Sequence, residues 1–391
     1  MKNIAILGST GSIGINTLKI IKNNQGHFRV FALVSNKNYR LLFHQVIEFK
    51  PKFVYVHDLK ALNKLKKLLD TVKHNTIFLS QNDDIDSIFI KKKPDIVVAG
   101  IVGSAGLKWV ISSIKHNKKI LLANKETLVM AGPLINKLLL KSKAQLLPVD
   151  SEHNSIFQLT NTLNTQQIKN INDILLTGSG GPFRKKSLSS IKLATPKQAI
   201  NHPIWKMGAK ISVDSATLMN KSLELIEAHN IFNFSFDKYK VLIQPEGVIH
   251  GIVNMKDGSS FAHMYNADMK IPISNVLFYP NYNSYMSSNI NFSNLKQINF
   301  EEPRHNIFPS IKLAHEVLKQ GMSAQIALNA SNEIAVDLFL KKRIKFTSIV
   351  EIIDKCLNEQ KFNSAKNLEE TLEIDKVSRI FAKKISEKFY V

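Results

Sequence analysis

From residue 1 to residue 150, short continuous apolar runs alternate with segments whose apolar positions recur three and four apart. The runs Ile4–Leu7, Phe28–Val34, Phe53–Val56, Ile96–Ala99, Ile120–Leu122 and Gln145–Val149 predict strands, and patterns such as Tyr39–Lys50 and Leu59–Lys73 predict helices between them. Strands alternating with helices make a doubly wound α/β parallel sheet. Beyond 150 the pattern changes. A helical-looking segment, Ser155–Leu163, leads to strand-like runs at Ile171–Thr177, Val241–Ile243, Gly251–Met255 and Phe261–Met264, with Asp257-Gly258 as a hairpin signal. Residues 279–304, rich in Asn and Ser, read as a linker, and residues 305–391 carry helical spacing without a convincing strand. The expected organisation is a sheet domain over 1–150, an α+β domain over 151–278 and a helical domain over 305–391.

Composition narrows the class. A hydrophobic share of 44% and a charged share of 21% over 391 residues suit a soluble globular chain. The start runs from Met1-Lys2-Asn3 directly into Ile4 and a glycine loop, leaving no room for a signal peptide's apolar region; the expectation is a cytoplasmic protein. The longest apolar stretch, Ile96 to Ile111, carries Lys108 and three glycines and makes a poor membrane span. The lone Cys356 offers neither a disulfide nor a zinc framework. A net charge of +22 raises the question of nucleic acid, but clusters such as Lys91-Lys92-Lys93 lack interleaved aromatics and no nucleic-acid motif accompanies them. The excess is nearly all Lys, spread along the chain with Asn and Ile, and a biased composition explains it more simply, though a positive field would still attract an anionic, phosphorylated substrate.

Candidate chemistry lies at strand ends. Gly8-Ser9-Thr10-Gly11-Ser12-Ile13-Gly14 follows a strand and opens a helix, the setting in which backbone N–H groups hold a pyrophosphate, although its glycines are three apart; a mere tight turn is the alternative. The second strand ends in Ser35-Asn36-Lys37-Asn38, with no acid for a ribose hydroxyl and a lysine for a 2′-phosphate, which favours NADP over NAD. Asn124-Lys125-Glu126 begins a helix after another strand, and by itself it reads more readily as a helix start with a surface pair than as a binding element. Asp150 and Glu152, two apart in Pro148-Val149-Asp150-Ser151-Glu152-His153-Asn154, would share one side of a strand and offer hard oxygen donors to a divalent cation. A helix cap with a solvated neighbour is the bland alternative.

Thr177-Gly178-Ser179-Gly180-Gly181 forms a second possible phosphate nest, suited to a substrate. Residues 196–209, with His202, Trp205 and Gly208, resemble a lid, with local loop packing as the alternative. Ser215, Asn220, Lys221 and Glu224 would share a face if their segment is helical from its start; a capped surface helix is the other reading.

Taken together and in order, the glycine loop at 8–14, Ala123-Asn-Lys-Glu-Thr-Leu128, Pro148-Val-Asp-Ser-Glu-His153, Thr177-Gly-Ser-Gly-Gly-Pro182, His202-Pro-Ile-Trp205-Lys-Met207-Gly208, Asp214-Ser-Ala-Thr-Leu-Met-Asn-Lys221 and Asn329-Ala-Ser-Asn-Glu333 closely resemble the 1-deoxy-D-xylulose 5-phosphate reductoisomerase family over essentially the whole chain. The resemblance implies an N-terminal Rossmann-like NADPH domain, a catalytic domain with a flexible lid, a C-terminal helical bundle and a homodimer. It implies an enzyme of the methylerythritol phosphate route to isoprenoids, which rearranges a phosphorylated sugar and reduces the product with NADPH and a divalent cation such as Mg²⁺, Mn²⁺ or Co²⁺. Asp150, Glu152 and Glu224 match the family's metal ligands. Ser151, Glu152, Ser179, His202, Trp205, Ser215, Asn220, Lys221 and Glu224 match substrate contacts, while Lys125 and His202 join the carboxylates as catalytic positions. Thr10, Gly11, Ser12, Ile13, Lys37, Asn38, Asn124, Lys125, Glu126 and Gly208 match cofactor positions. The match is looser at Ser35-Asn36 and over Gln244–His250. The rival readings are an ordinary NADP dehydrogenase, a non-catalytic NADP-binding regulator and a nucleic-acid binder.

Overall fold

The apolar runs of the first 150 residues become a seven-stranded sheet. Its chain order is β1 (Lys2–Leu7), α1 (Ser12–Lys22), β2 (Phe28–Ser35), α2 (Tyr39–Phe49), β3 (Phe53–Val56), α3 (Leu59–Leu69), β4 (Ile77–Leu79), β5 (Ile96–Ala99), α4 (Leu107–Lys115), β6 (Lys119–Leu122), α5 (Lys125–Leu140) and β7 (Gln145–Pro148). The spatial order is β4-β3-β2-β1-β5-β6-β7 with every neighbouring pair parallel. The computed structural model describes residues 1–89, 93–281, 288–360 and 365–391. Lys91 and Lys92 of the basic cluster, and residues 282–287 of the expected linker, lie outside them.

The chain winds outward from β1 to β4, then returns to β5 on the other side of β1. Ligands of such sheets bind at the carboxyl ends of the strands where the winding reverses, here after Leu7 and Ala99. Two glycines close that point. Gly8 has φ +82°, and a Cβ on it would stand 2.6 Å from the Gly100 carbonyl oxygen. A Cβ on Gly14 would stand 2.4 Å from Ser9 Cα, so α1 can start this close to the loop only without a side chain.

The rest of the chain runs α6 (Ser151–Asn161), α7 (Thr165–Lys169), β8 (Ile171–Gly178), α8 (Leu188–Lys192), α9 (Pro196–Ala199), α10 (Ala209–Ala216), α11 (Met219–Phe232), β9 (Tyr239–Ile243), β10 (Ile249–Met255), β11 (Ser260–Met264), α12 (Lys270–Phe278), α13 (Ser310–Gln320), α14 (Met322–Leu340), α15 (Ser348–Glu359) and α16 (Leu368–Ser386). The second sheet has the order β11-β10-β8-β9, antiparallel except for the parallel pair of β8 and β9.

The chain forms two compact units. Met1–Asn124, Lys137–Asp150 and Asp268–Ser287 make the first, and Lys125–Asn136, Ser151–Ala267 and Ser288–Val391 the second. Within the first, α12 packs against α1, with the Phe278 ring edge-on to Phe28 at 4.9 Å. Lys119 Nζ closes the last turn of α12 by donating to the Leu277 and Tyr279 carbonyls at 3.2 and 2.6 Å. Within the second, one hydrophobic core runs from Val129 and Ile156 through Ile174 and Leu223 to Ile352 and Ile385, so the C-terminal helices share it with the sheet. Helix α14 is its axis, packed by α10, α13, α15 and α16. Among the described residues no helix is long and apolar enough to cross a membrane.

Two local expectations need correction. β7 ends at Pro148 and α6 begins at Ser151, so Glu152 rides the first turn of a helix and does not share a strand face with Asp150. The segment from Ser212 is not one helix: α10 and α11 are separated at Thr217–Leu218, where Leu218 turns left-handed at φ +60°. Separately, α5 is kinked at Ala131, because Pro133 lacks an N–H and crowds the preceding turn. Asn230 Nδ2 repairs that kink by donating to the Leu128 carbonyl at 3.1 Å.

The packing at Gly14 is directly testable. Gly14→Ala should lower stability by about 1–3 kcal/mol through overpacking, whereas Gly26→Ala, where a Cβ meets nothing within 4 Å, should stay within about 0.5 kcal/mol of wild type. Denaturant titration measures both, and equal effects would refute the close-packing account.

Candidate active site

The glycine loop of the first unit leaves donors available. The N-cap of α1 is Gly11, with no side-chain cap, and Gly11 and Ser12 are exposed. The helix start therefore presents backbone N–H groups and the positive end of its dipole to an anion. Thr10 Oγ1 lies 2.9 Å from Ser35 Oγ at the end of β2, and Gln45 Nε2 donates to the Ser9 carbonyl at 2.9 Å, so the loop is fastened from both sides. Lys37 is exposed beyond β2, and Asn38 Oδ1 caps α2 by accepting from Leu41 N at 3.2 Å. Asn124 is buried with its Nδ2 donating to the Gly103 carbonyl at 3.0 Å. These residues share the carboxyl edge of the sheet.

The second unit holds a dense ionic cluster. Lys221 Nζ bonds Glu152 and also Glu224 Oε2, the latter at 2.5 Å. Lys125 Nζ donates to Glu224 Oε1 at 3.0 Å and to Asn220 Oδ1 at 2.9 Å, and Asn220 Nδ2 donates to Glu224. Glu224 is 1% exposed, so two ammonium groups and an amide compensate one buried carboxylate. Glu152 and Glu224 each bring an oxygen within 4.8 Å of the other, a separation one hard cation can span. Asp150 stands one residue ahead of α6, directly before this cluster in the chain.

Beside it lies the second glycine turn. Gly180 and Gly181 take φ +80° and +69°. A Cβ on Gly178 would meet Lys221 Cε at 2.6 Å, and one on Gly181 would meet the Ser215 carbonyl oxygen at 2.6 Å. The turn thus brings Ser179 to the ends of α10 and α11, and Ser215, Asn220 and Lys221 come together through it although they sit on two helices.

His202 reaches the same turn. Its Nδ1 accepts from the backbone N–H of Ile204 and Trp205 at 3.2 and 2.9 Å, so in the neutral ring Nε2 carries the proton and donates to Ser179 Oγ at 2.9 Å. Burial first and the Lys221 charge second push its pKa down to about 4. The segment from 200 to 208 is irregular, entered through the Thr195–Gln198 capping box of α9 and left through Gly208 at the start of α10. Trp205 is half-buried, 6.1 Å from His250. A Cβ on Gly247 would touch Ile204 at 2.7 Å, so the loosely matched Gln244–His250 turn is the surface on which this segment rests.

Sequence reasoning gave no role to two features of this unit. His153 and Glu227 are both fully buried, with Nδ1 3.2 Å from Oε2, and His153 Nε2 donates to the Glu224 carbonyl at 2.9 Å, pinning α6 to α11. Lys210 Nζ binds Glu126 Oε1 at 2.9 Å and Asp214 Oδ2 at 2.8 Å. Burial pushes the Glu126 carboxyl up, but Lys210 outweighs it and holds the group below its ordinary range. The four-residue spacing of Lys210 and Asp214 was the one signal available for the second feature.

Sequence profiles of the 1-deoxy-D-xylulose 5-phosphate reductoisomerase family match residues 4–132, and those of its C-terminal domains match 146–232 and 264–381. A relative of that name from Lawsonia intracellularis is 44% identical over 380 residues, spanning 97% of this chain and 93% of the relative. One from Haemophilus ducreyi is 44% identical over 390 residues, spanning 98% of each. Among solved structures, a DOX-P reductoisomerase in complex with NADPH, fosmidomycin and magnesium superposes with a TM-score of 0.93 at 38% identity, covering 99% of this chain and 98% of that one. The Zymomonas mobilis enzyme in complex with NADPH gives a TM-score of 0.91 at 36% identity, covering 99% of this chain and 100% of that one. With profile matches across most of its length and relatives at this identity, the chain belongs to the 1-deoxy-D-xylulose 5-phosphate reductoisomerase family.

Proposed function

We infer that this chain converts 1-deoxy-D-xylulose 5-phosphate to 2-C-methyl-D-erythritol 4-phosphate, using NADPH and a divalent cation. The observation that carries the reading is the convergence of two carboxylates, Glu152 and Glu224, with the Ser179 turn and Lys221. A dehydrogenase acting on a simple alcohol needs no such pair of hard ligands beside a phosphate nest, and a regulator that only binds NADP needs neither. Asp150, adjoining Glu152 in the chain, supplies the third metal ligand.

When bound, the cation polarises the substrate carbonyl and acidifies the adjacent hydroxyl, and NADPH supplies the hydride. The protein's own groups do the rest. Lys221 and Lys125 compensate the carboxylates before a cation arrives. Ser151, Ser179, Ser215 and Asn220 hold the sugar phosphate with Lys221, and His202 orients the Ser179 hydroxyl. Trp205 covers the ligand and excludes water when 196–209 closes. Thr10, Gly11, Ser12, Ile13, Lys37, Asn38 and Asn124 in the first unit, with Lys125, Glu126 and Gly208, hold the cofactor. No acid follows β2, which fits a cofactor carrying a 2′-phosphate for Lys37.

We further propose a homodimer acting in the cytoplasm. Strand β11 is an edge strand that pairs with β10 and exposes Phe261, an apolar edge suited to a second copy.

Three outcomes are expected. Substrate-dependent NADPH oxidation should stop with a chelator and return with Mg²⁺, Mn²⁺ or Co²⁺; Asp150→Asn and Glu224→Gln should lose about a hundredfold or more in kcat/KM while still binding NADPH by fluorescence. Chelator-resistant turnover would defeat the metal assignment. In NMR titrations His202 should protonate near pH 4, so the stability it lends is complete above its unfolded pKa of about 6.5 and is lost as pH falls toward the folded value; a midpoint near the unfolded value would contradict the half-buried neutral ring. Light scattering should give twice the 44.1 kDa chain mass, with Phe261→Glu shifted toward the monomer, and a monomeric wild type would end the dimer proposal.

A further inference from the structure

The Asn329-Ala-Ser-Asn-Glu333 motif on α14 has no part in the chemistry above, yet its first four residues are buried. Asn329 and Asn332 are both 0% exposed, in the middle of the helix on which the second unit's core is built. Asn332 Nδ2 donates to Asp214 Oδ1 at 2.9 Å. The other oxygen of Asp214 takes Lys210 Nζ at 2.8 Å, and Lys210 continues to Glu126 at 2.9 Å. Glu126 follows Lys125, whose Nζ lies 3.0 Å from Glu224. Glu333, next to Asn332, accepts from Asn329 at 3.1 Å and from Arg379 of α16 at 2.6 Å, and its charge also helps raise the Lys210 pKa.

The short helix α10 sits at the centre of this chain of contacts. Gly208, where the lid ends, is its N-cap, and Ser215, assigned to the phosphate, is in its last turn. Lys210 and Asp214, four apart, form the one charged face by which α10 is gripped, from α5 on one side and from α14 on the other. A roll of α10 would move the root of the lid and the phosphate hydroxyl together. A buried carboxylate with both oxygens engaged allows little roll, because leaving either unsatisfied is costly.

We propose that Asn332 is a positioning residue for substrate binding: through Asp214 and Lys210 it fixes the rotation of α10, and with it the lid root and Ser215. The proposal rests on the lid and phosphate assignments made above. No atom of Asn332 need touch substrate or cofactor.

The test uses Asn332→Leu, of similar size, with Asn332→Asp as a second variant should the first fail to fold. Steady-state kinetics, circular dichroism melting and Trp205 emission are compared, the last in a Trp109→Phe background because the chain has two tryptophans. The ligand is 1-deoxy-D-xylulose 5-phosphate with Mg²⁺ and NADP⁺, which cannot donate a hydride. Loss of one hydrogen bond to a charged group should raise the substrate KM about tenfold, leave kcat within about twofold and weaken the Trp205 response. In combination with Asp214→Asn the effects should be non-additive. A folded variant with unchanged KM overturns the proposal, as does a fall in kcat that merely tracks the melting temperature. A wild type whose Trp205 ignores the ligand removes the lid assignment, and the proposal falls with it.

Discussion

A carboxylate taken out of water needs positive charge within a few ångströms, and much of the second unit is arranged around that need at Glu224. Lys221 and Lys125 approach it from opposite oxygens, one from its own helix and one from the start of α5. Those two lysines have further partners, Glu152 on α6 and Asn220 on α11. Compensating one buried charge therefore fixes where three helices begin. The same groups are the hard oxygens and ammonium donors that a metal and a phosphate require, so the arrangement that makes the interior tolerable is also the one that makes it reactive.

The first sheet was legible because a parallel strand buried on both faces is a continuous apolar run, and Phe53–Val56 and Ile96–Ala99 match their strands end to end. β4 was not, since three residues at a sheet edge with Ile77 exposed carry little pattern. Glu152 was misplaced on a strand because the apolar run 144–149 leads straight into Asp150-Ser151-Glu152, three polar residues that do not show a helix starting at Ser151. The break before α11 had no signal, for Leu218 takes a left-handed conformation that glycine or asparagine would have advertised.

Site residues were legible one motif at a time, as types at strand ends and helix starts. The couplings were not. Asp214 and Asn332 are separated by 118 positions, and Lys125 and Glu224 by 99, so nothing in local spacing connects them. Those pairings exist because α5, α10, α11 and α14 share one apolar core, and only the packed core decides which polar groups face each other.

The Ser179 hydroxyl carries one more consequence. Its oxygen accepts from His202 Nε2 and from the Gly181 N–H, the latter at 3.3 Å, which occupies both lone pairs. What it has left to offer is its own hydrogen. The turn is thus directional: it welcomes an acceptor and turns away a donor of similar size, and on the phosphate assignment proposed above an ester phosphate arriving as the dianion would fit where its singly protonated form, with its P–OH aimed the same way, would not. On that assignment, discrimination between two protonation states of one ligand would be written into the tautomer of a histidine that never has to change its own.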